Sequence, residues 1–139
     1  MTPRASVEAA SRALGQRHVV DSCLAVLRDR EMDAEFGYVL AGPASVSIMN
    51  GMAGGVSGYW PRTWALRALL YAWDVSAESA VIGCLGDEAW RVREMAAKLV
   101  ARRRIGDALD DVAALQADPV ARVRTAAHRA LIALVEHDA

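Results

Sequence analysis

Basic side chains recur at helical spacing in the second half of the chain, and the chemistry they offer is the binding of anions. At about 100° per residue, Arg91, Lys98 and Arg102 fall within one narrow wedge of a helix, opposite the apolar Val92. Such a wedge steers an anionic partner toward the surface. Lys and Arg also cover ordinary solvated faces, and Glu94 stands at the spacing that pairs it with Lys98. Both interpretations, a binding surface and a solvated face, stay open.

The wedge is written three times at a constant interval. Two copies of a longer motif begin at Asp87 and Asp118, and their separation along the sequence, 118 − 87 = 31 residues, is the repeat interval. Counting this interval onward from the wedge reaches Arg122 and Arg129. Counting it back reaches Trp60, Arg67 and Tyr71. The sequence therefore predicts a surface on which basic and aromatic side chains recur along the fold.

The charges around the wedge are divided between neighbouring segments. The whole chain has 16 Lys and Arg against 17 Asp and Glu, a formal net charge of −1. From Glu88 to Arg104, six basic residues less two acidic ones give +4. From Ile105 to Asp118, four acidic residues and no basic ones give −4. A near-zero total thus conceals a basic segment that favours an anionic partner.

No motif of catalysis or cofactor binding accompanies these basic residues. The chain has no Walker A motif, no Rossmann fingerprint, no GxSxG elbow and no HExxH pair. His18, His128 and His137 lie far apart, and Cys23 and Cys84 stand alone in helix-like contexts. We therefore expect a non-catalytic protein with no cofactor and no metal, in which both cysteines are buried as small apolar residues.

Composition indicates one compact domain. Hydrophobic residues make up 54% of the 139 residues and charged residues 24%, which is typical of a globular chain. No stretch reaches the roughly 18 apolar residues of a membrane span, and the first residues contain no signal-peptide core. We therefore expect a cytoplasmic protein with no membrane partner.

The segments that carry the basic residues have the pattern of helices. "DEAWRVREMAAKLV" and "DPVARVRTAAHRAL" align residue by residue, and "YWPRTWALRALLYAW" is a more divergent copy. Shorter apolar-periodic segments, "SAESAVIGCLGD" and "IGDALDDVAALQAD", alternate with these copies. No segment has a sustained period of two, so the pattern predicts an all-α fold with almost no sheet. Asp87 and Asp118 are expected to be the N-caps of the long helices.

These motifs resemble the HEAT repeat, in the short form labelled PBS-lyase HEAT-like, as in small bacterial α-solenoid proteins. The order of Asp, then Val-Arg, then spaced alanines in "GDEAWRVREMAAKLV" and "ADPVARVRTAAHRAL" carries the resemblance. It implies a right-handed α-solenoid of about three helix pairs over residues 60–139. Residues 1–59 are expected to form a divergent helical cap with a glycine-rich connector.

The same resemblance implies a structural role for one set of charged residues. In HEAT repeats, an Asp and an Arg six residues apart form a hydrogen-bonded ladder between adjacent repeats. On this chain the ladder consists of Asp87, Arg93, Asp118 and Arg124. Arg62 holds the equivalent position in the first copy, where Val56 replaces the aspartate. Either Arg62 pairs with Asp87 or the ladder ends there.

In HEAT-like proteins the second helix of each pair normally lines the concave surface. The wedge residues would then share one groove: Trp60, Arg67, Tyr71, Arg91, Lys98, Arg102, Arg122 and Arg129. This arrangement implies a scaffold that binds an acidic segment of a protein partner. The alternative is nucleic-acid binding, as in the HEAT-like alkylpurine DNA glycosylases, although the net charge is unfavourable for duplex affinity.

A glycine-rich stretch, "GMAGGVSGYW", lies between the expected cap and the Pro61 helix. No Lys-Ser/Thr pair follows it and no βαβ pattern surrounds it, which argues against a phosphate cradle. We interpret Gly51–Gly58 as a flexible connector, with a ligand-binding loop as the alternative.

Overall fold

The computed structural model describes residues 1–138, and the side chains of residues 1–136. Within this range the chain is helical without β-strands, which confirms the predicted all-α class. The α-helices are α1 (Pro3–Leu14), α2 (Gln16–Asp29), α3 (Ala34–Ala41), α4 (Ala44–Met49), α5 (Tyr59–Ala68), α6 (Glu78–Cys84), α7 (Trp90–Arg103), α8 (Leu109–Ala114) and α9 (Ala121–Asp138). In the part of the chain described, no helix has both the length and the apolar character that a membrane crossing requires.

The chain divides into two compact units, Met1–Ala77 and Glu78–Ala139. The first unit contains α1 to α5, and the second contains α6 to α9. Helix α5, the first of the three repeated helices in the sequence, therefore belongs to the same unit as the four helices that precede it.

Local hydrogen bonds fix the helix ends of the first unit. The Thr2 Oγ1 accepts from the Ala5 N–H at 3.1 Å, so Thr2 caps α1. Asp33 caps α3 in the same way, and its Oδ1 accepts from the Phe36 N–H at 2.7 Å. Gly15 separates α1 from α2 with a φ of 92°, a backbone conformation that glycine adopts without strain. These ends set the angles at which the apolar faces of the helices meet.

Helix α5 packs against α2, α3 and the glycine-rich segment before it. Ala65 and Leu66 are completely buried, and Trp64 is also buried. Arg67 is half-buried at the margin of this packing. The helix therefore holds a cationic side chain close to the interior of the first unit.

The glycine-rich segment forms a compact turn. Met52–Ser57 is a 3₁₀ helix interrupted by left-handed residues, among them Ala53 with a φ of 53°. A Cβ at Gly58 would lie 2.5 Å from the Ala53 carbonyl oxygen, so this close approach requires glycine. The Arg30 Nη1 donates to the Ser57 carbonyl at 3.0 Å, which ties the turn to the end of α2. The segment predicted as a connector thus has a defined backbone path.

The second unit alternates short and long helices. Helix α6 packs against α7, α8 packs against α9, and the two long helices pack against each other. Val92, Ala96 and Leu99 of α7 are completely buried. Alanines at the contact, Ala96 on α7 and Ala127 on α9, let the two backbones approach closely. This packing brings the polar residues of α7 and α9 beside one another.

The aspartates before the long helices do not occupy the predicted N-cap positions. Helix α7 begins at Trp90, and its N-cap residue is Ala89. The Asp87 Oδ1 accepts from the Ala89 N–H at 2.8 Å. Likewise, the Asp118 Oδ1 accepts from the Val120 N–H at 2.9 Å. Each aspartate closes an Asx turn ahead of the helix. The N-cap prediction was wrong because an Asx turn and an N-cap both place an aspartate just before a helical pattern.

Candidate functional site

A bidentate ion pair joins the turns that precede α7 and α9. The Arg93 Nε donates to the Asp118 Oδ2 at 2.8 Å, and the Arg93 Nη2 donates to the Oδ1 at 3.2 Å. The side chains are 14% and 4% exposed. The Arg93 Nη1 also donates to the Asp87 carbonyl at 2.9 Å. One guanidinium thus links both turns with charge-assisted hydrogen bonds, the strongest kind in a partly buried setting.

Arginines separated by the repeat interval hold the turn before their own helix. The Arg124 Nη1 donates to the Asp118 carbonyl at 2.7 Å. In the first unit, the Arg62 Nη1 donates to the carbonyls of Ser57 and Gly58 at 3.1 and 2.9 Å. Arg62 is only 2% exposed, so its cation stabilises the turn and is not offered to a ligand. All four residues of the expected ladder take part in hydrogen bonds at these turns: Asp87, Arg93, Asp118 and Arg124.

The surroundings of Asp118 lower the pKa of its carboxyl group. Burial is the largest single influence and acts in the opposite direction, because it disfavours the charged form. The hydrogen bonds from Arg93 and from the Val120 N–H, with the charges of Arg93 and Arg124, outweigh burial. Asp118 is therefore held as an anion by its partners and serves the structure.

Five of the eight wedge residues lie on α7 and α9, and two of these contact the Trp90 ring. The guanidinium carbon of Arg91 lies 4.4 Å from the centroid of this ring. That of Arg122 lies 5.0 Å from the same centroid. Both distances fit cation–π interactions. Trp90, which the wedge did not include, therefore links basic residues of the two helices.

A buried carboxylate on α7, that of Glu94, contacts two of the basic residues, Arg122 and Lys98. Glu94 is 8% exposed. The Arg122 Nε and Nη2 donate to its two oxygens at 2.9 and 3.1 Å, and the Lys98 Nζ lies 3.9 Å from its Oε2. Helical spacing indicates the pair with Lys98 but not the pair with Arg122. The spacing along one helix carries no signal for this contact, because Glu94 lies on α7 and Arg122 on α9.

These residues line the α7–α9 groove, a shallow cavity of about 450 Å³. Its charged side chains are Glu94, Lys98, Arg122 and Arg129, and small residues such as Ala101 separate them. Three cations less one carboxylate leave a charge of 3 − 1 = +2. The structure thus gathers three of the predicted binding residues around one concavity.

Two predicted residues of α7 lie outside the lining of the α7–α9 groove. Arg91 lies against Trp90. Arg102 is exposed and lies near Arg103. Burial first, and then the charge of Arg102, lowers the pKa of the Arg103 guanidinium. Arg102 therefore faces a like charge, and the wedge read from the sequence is wider than the groove.

The first unit holds the other three predicted residues, each with its own neighbours. The Trp60 ring stacks on that of Trp64, with centroids 6.2 Å apart and planes inclined by 24°. The Arg67 Nη2 donates to a backbone carbonyl at the end of α3 at 2.8 Å. The guanidinium carbon of Arg4 lies 6.0 Å from the centroid of the Tyr71 ring. That all eight residues share one groove stays a prediction.

Groups with other reactivity are dispersed among the described side chains. Cys23 and Cys84 are buried, as predicted, and burial raises the pKa of the Cys23 thiol to about 12. His18 and His128 are exposed on different helices, and the side chain of His137 lies outside the described residues. Within residues 1–136, no three His, Cys, Asp or Glu side chains are arranged to hold a metal ion.

Each of the two units therefore holds a candidate site of its own. In the second unit it is a basic groove with one buried carboxylate, bordered by a tryptophan that contacts two arginines. In the first unit it is the half-buried Arg67 of α5, which donates to a carbonyl at the end of α3. No protein-family model, no curated protein and no solved structure matches this chain.

Proposed function

We propose that this protein is a non-catalytic binding module, a scaffold whose α7–α9 groove holds an acidic segment of a protein partner. The observation that carries the proposal is the charge of the groove lining. Lys98, Arg122 and Arg129 outnumber the single carboxylate of Glu94. A concave surface of charge +2 attracts Asp and Glu side chains and orients the chain that carries them.

Arg122 stays available to a partner although Glu94 holds it. The Arg122 side chain is 64% exposed, whereas that of Glu94 is 10% exposed. A guanidinium has five N–H donors, and Glu94 accepts from two donor nitrogens on one edge of it. The contact fixes the guanidinium in place, so little side-chain entropy remains to be lost when a second carboxylate binds.

The scaffold we propose is a right-handed α-solenoid of about three HEAT-like repeats behind a divergent helical cap. Three observations support it: the constant repeat interval, the alternation of short and long helices in α6 to α9, and the bidentate pair of Arg93 with Asp118 between successive turns. Stacked helix pairs offer a rigid groove, which suits the binding of an extended segment.

Nucleic-acid binding is the alternative from a different class, and the geometry favours it less. Affinity for a duplex requires several phosphate contacts. Two of the three cations in the groove, Lys98 and Arg122, are already paired with Glu94, and the chain carries a net charge of −1. A short acidic segment needs fewer contacts and therefore fits the groove better.

The proposal is tested by fluorescence anisotropy with a labelled peptide rich in Asp and Glu. Lys98→Glu should weaken its binding by about tenfold, because the change reverses a charge in the groove lining. Arg102→Glu is the matched control, since Arg102 is also exposed on α7 but lies outside the groove. The control variant should bind the peptide as the parent does.

The same titrations with a labelled DNA duplex separate the two classes of partner. Tight duplex binding that falls steeply with salt, with weak peptide binding, would replace the protein partner with nucleic acid. Equal losses of peptide affinity in both variants would show that only overall charge matters, and the groove proposal would fail.

A further inference from the structure

A second cavity lies within the first unit, where α1, α3, the turn at residues 42–43, the start of α4 and α5 meet. Its volume of about 380 Å³ lies in the range of small-molecule sites, roughly 300–1,000 Å³. Its walls are mainly apolar and include Pro3, Val39, Pro43 and Trp64. Cavities of this kind enclose the body of a small organic molecule and orient it through a few polar groups.

Arg67 is the charged side chain in the lining of this cavity. Its guanidinium is half-buried, and the Nη2 donates to the Leu40 carbonyl at 2.8 Å. Within the described residues, no carboxylate forms an ion pair with it. Burial lowers the pKa of Arg67, against a smaller opposite influence of Tyr71. The cation has therefore lost hydration without gaining an anionic partner from the protein.

The other polar groups around the cavity do not neutralise this cation. The Ser6 Oγ donates to the Val39 carbonyl at 2.7 Å, so its proton is already used. Tyr38 is 57% exposed and offers a hydroxyl group, not a carboxylate. A guanidinium has five N–H donors, and Leu40 accepts from one nitrogen only. Donors remain for a ligand that brings its own negative charge.

We propose that this cavity binds a small organic acid, with its carboxylate paired to Arg67 and its apolar body against Trp64. A planar guanidinium matches a carboxylate in two parallel hydrogen bonds. The single negative charge of a carboxylate is balanced by the positive charge of Arg67. The site lies in the first unit and does not depend on the peptide-binding groove of the second.

The test uses 2-naphthoate and its uncharged counterpart of similar shape, 2-naphthamide. Isothermal titration calorimetry on the full chain gives the affinity for each. The parent protein should bind the acid about tenfold or more tightly than the amide, because the charge-assisted hydrogen bonds distinguish the two probes. Arg67→Gln should abolish this preference. Arg12→Gln, at an exposed arginine of α1 outside the cavity, should keep it.

Ala44→Phe tests the cavity while Arg67 stays in place. Ala44 is exposed and lines the cavity, so a larger ring fills the space without disturbing the buried core. Both probes should then bind more weakly, and circular dichroism melting curves check that each variant is folded. The proposal is overturned if the parent binds neither probe or binds both equally. It is also overturned if folded Arg67→Gln keeps the preference or if Ala44→Phe binds as the parent does.

Discussion

Helices α5 and α7 carry a basic residue at the same position of the repeat, but only α7 supplies it with a carboxylate. Arg67 and Lys98 are separated by the same interval as Asp87 and Asp118. Four residues before Lys98 stands Glu94, whose Oε2 lies 3.9 Å from the Lys98 Nζ. Four residues before Arg67 stands Thr63, whose hydroxyl donates to the Tyr59 carbonyl at 2.8 Å.

The difference distinguishes the two binding surfaces that we propose. On α7 the basic residues share an internal carboxylate, so the groove keeps a moderate positive charge suited to an extended acidic segment. On α5 the cation is partly desolvated and has a backbone carbonyl as its hydrogen-bond partner, which suits a ligand with a single negative charge. The repeat fixes where the basic side chain lies. The residue four positions earlier decides how far its charge is balanced.

Burial separates two aspartate–arginine pairs in a similar way. Arg93 and Asp118 in the second unit are 14% and 4% exposed. In the first unit, the Arg17 Nη1 lies 3.0 Å from the Asp74 Oδ2, and the two side chains are 63% and 37% exposed. Both aspartates also accept the backbone N–H of the residue two positions onward. The two units thus provide the same contact at two degrees of burial.

Arg93→Ala should cause the largest loss of stability. It leaves the buried carboxylate of Asp118 without its bidentate partner, which costs about 3 kcal/mol. Arg17→Ala, at the exposed pair, should cost much less, because solvent screens the two charges. Urea unfolding followed by circular dichroism measures both free energies. Similar losses in the two variants would contradict the view that burial determines the worth of these pairs.

Acid should remove the contribution of the same buried pair. Burial raises the pKa of Asp118, but the hydrogen bonds from Arg93 and Val120 lower it by more, so it lies below its ordinary value. An unfolded aspartate has a pKa of about 3.9. The pair therefore stabilises the folded state fully above that pH, and the stabilisation is lost as the pH falls through the folded pKa. Asp118→Asn should lose unfolding free energy less steeply than the parent below about pH 4, and parallel curves would contradict this.

Glu94→Thr gives α7 the residue that α5 has at the same position. The change removes the carboxylate from the α7–α9 groove and raises the charge of its lining from 3 − 1 = +2 to +3. The labelled acidic peptide should then bind about fivefold more tightly. Glu88→Thr, at an exposed residue just before α7, is the control and should bind as the parent does. Weaker binding by Glu94→Thr would mean that holding Arg122 in place matters more than the charge.

The sequence predicts what repeats within a short window. Residues that lie one repeat interval apart occupy equivalent positions. The helices, the turn aspartates and the arginines after them can therefore be predicted from residue types. The Asx turns at Asp87 and Asp118 could not be distinguished from N-caps. An Asx turn and an N-cap use the same residue type, and they differ only in where the helix begins after it.

Contacts between helices of different repeats are harder to predict. Glu94 and Arg122 meet because α7 and α9 pack at a particular offset, which depends on the fit of their side chains and cannot be seen in the spacing of one helix. The Arg67 cavity takes most of its walls from α1, α3 and the turn after α3. No copy of the repeat covers that region, so nothing in the sequence indicates which of its residues meet α5.

The reciprocal change, Thr63→Glu, gives α5 the carboxylate that α7 has and should produce the smallest effect. A glutamate four residues before an arginine forms an intrahelical pair worth a few tenths of a kcal/mol, so the affinity for 2-naphthoate should fall about twofold. Thr63→Gln has the same length without the charge and should leave that affinity unchanged. Affinity for 2-naphthamide should not change in either variant, because the amide carries no charge for Arg67 to balance. If Thr63→Glu binds the acid as tightly as Thr63→Gln does, the charge of Arg67 does not select the ligand. The difference in sequence between α5 and α7 would then have no effect on what each helix binds.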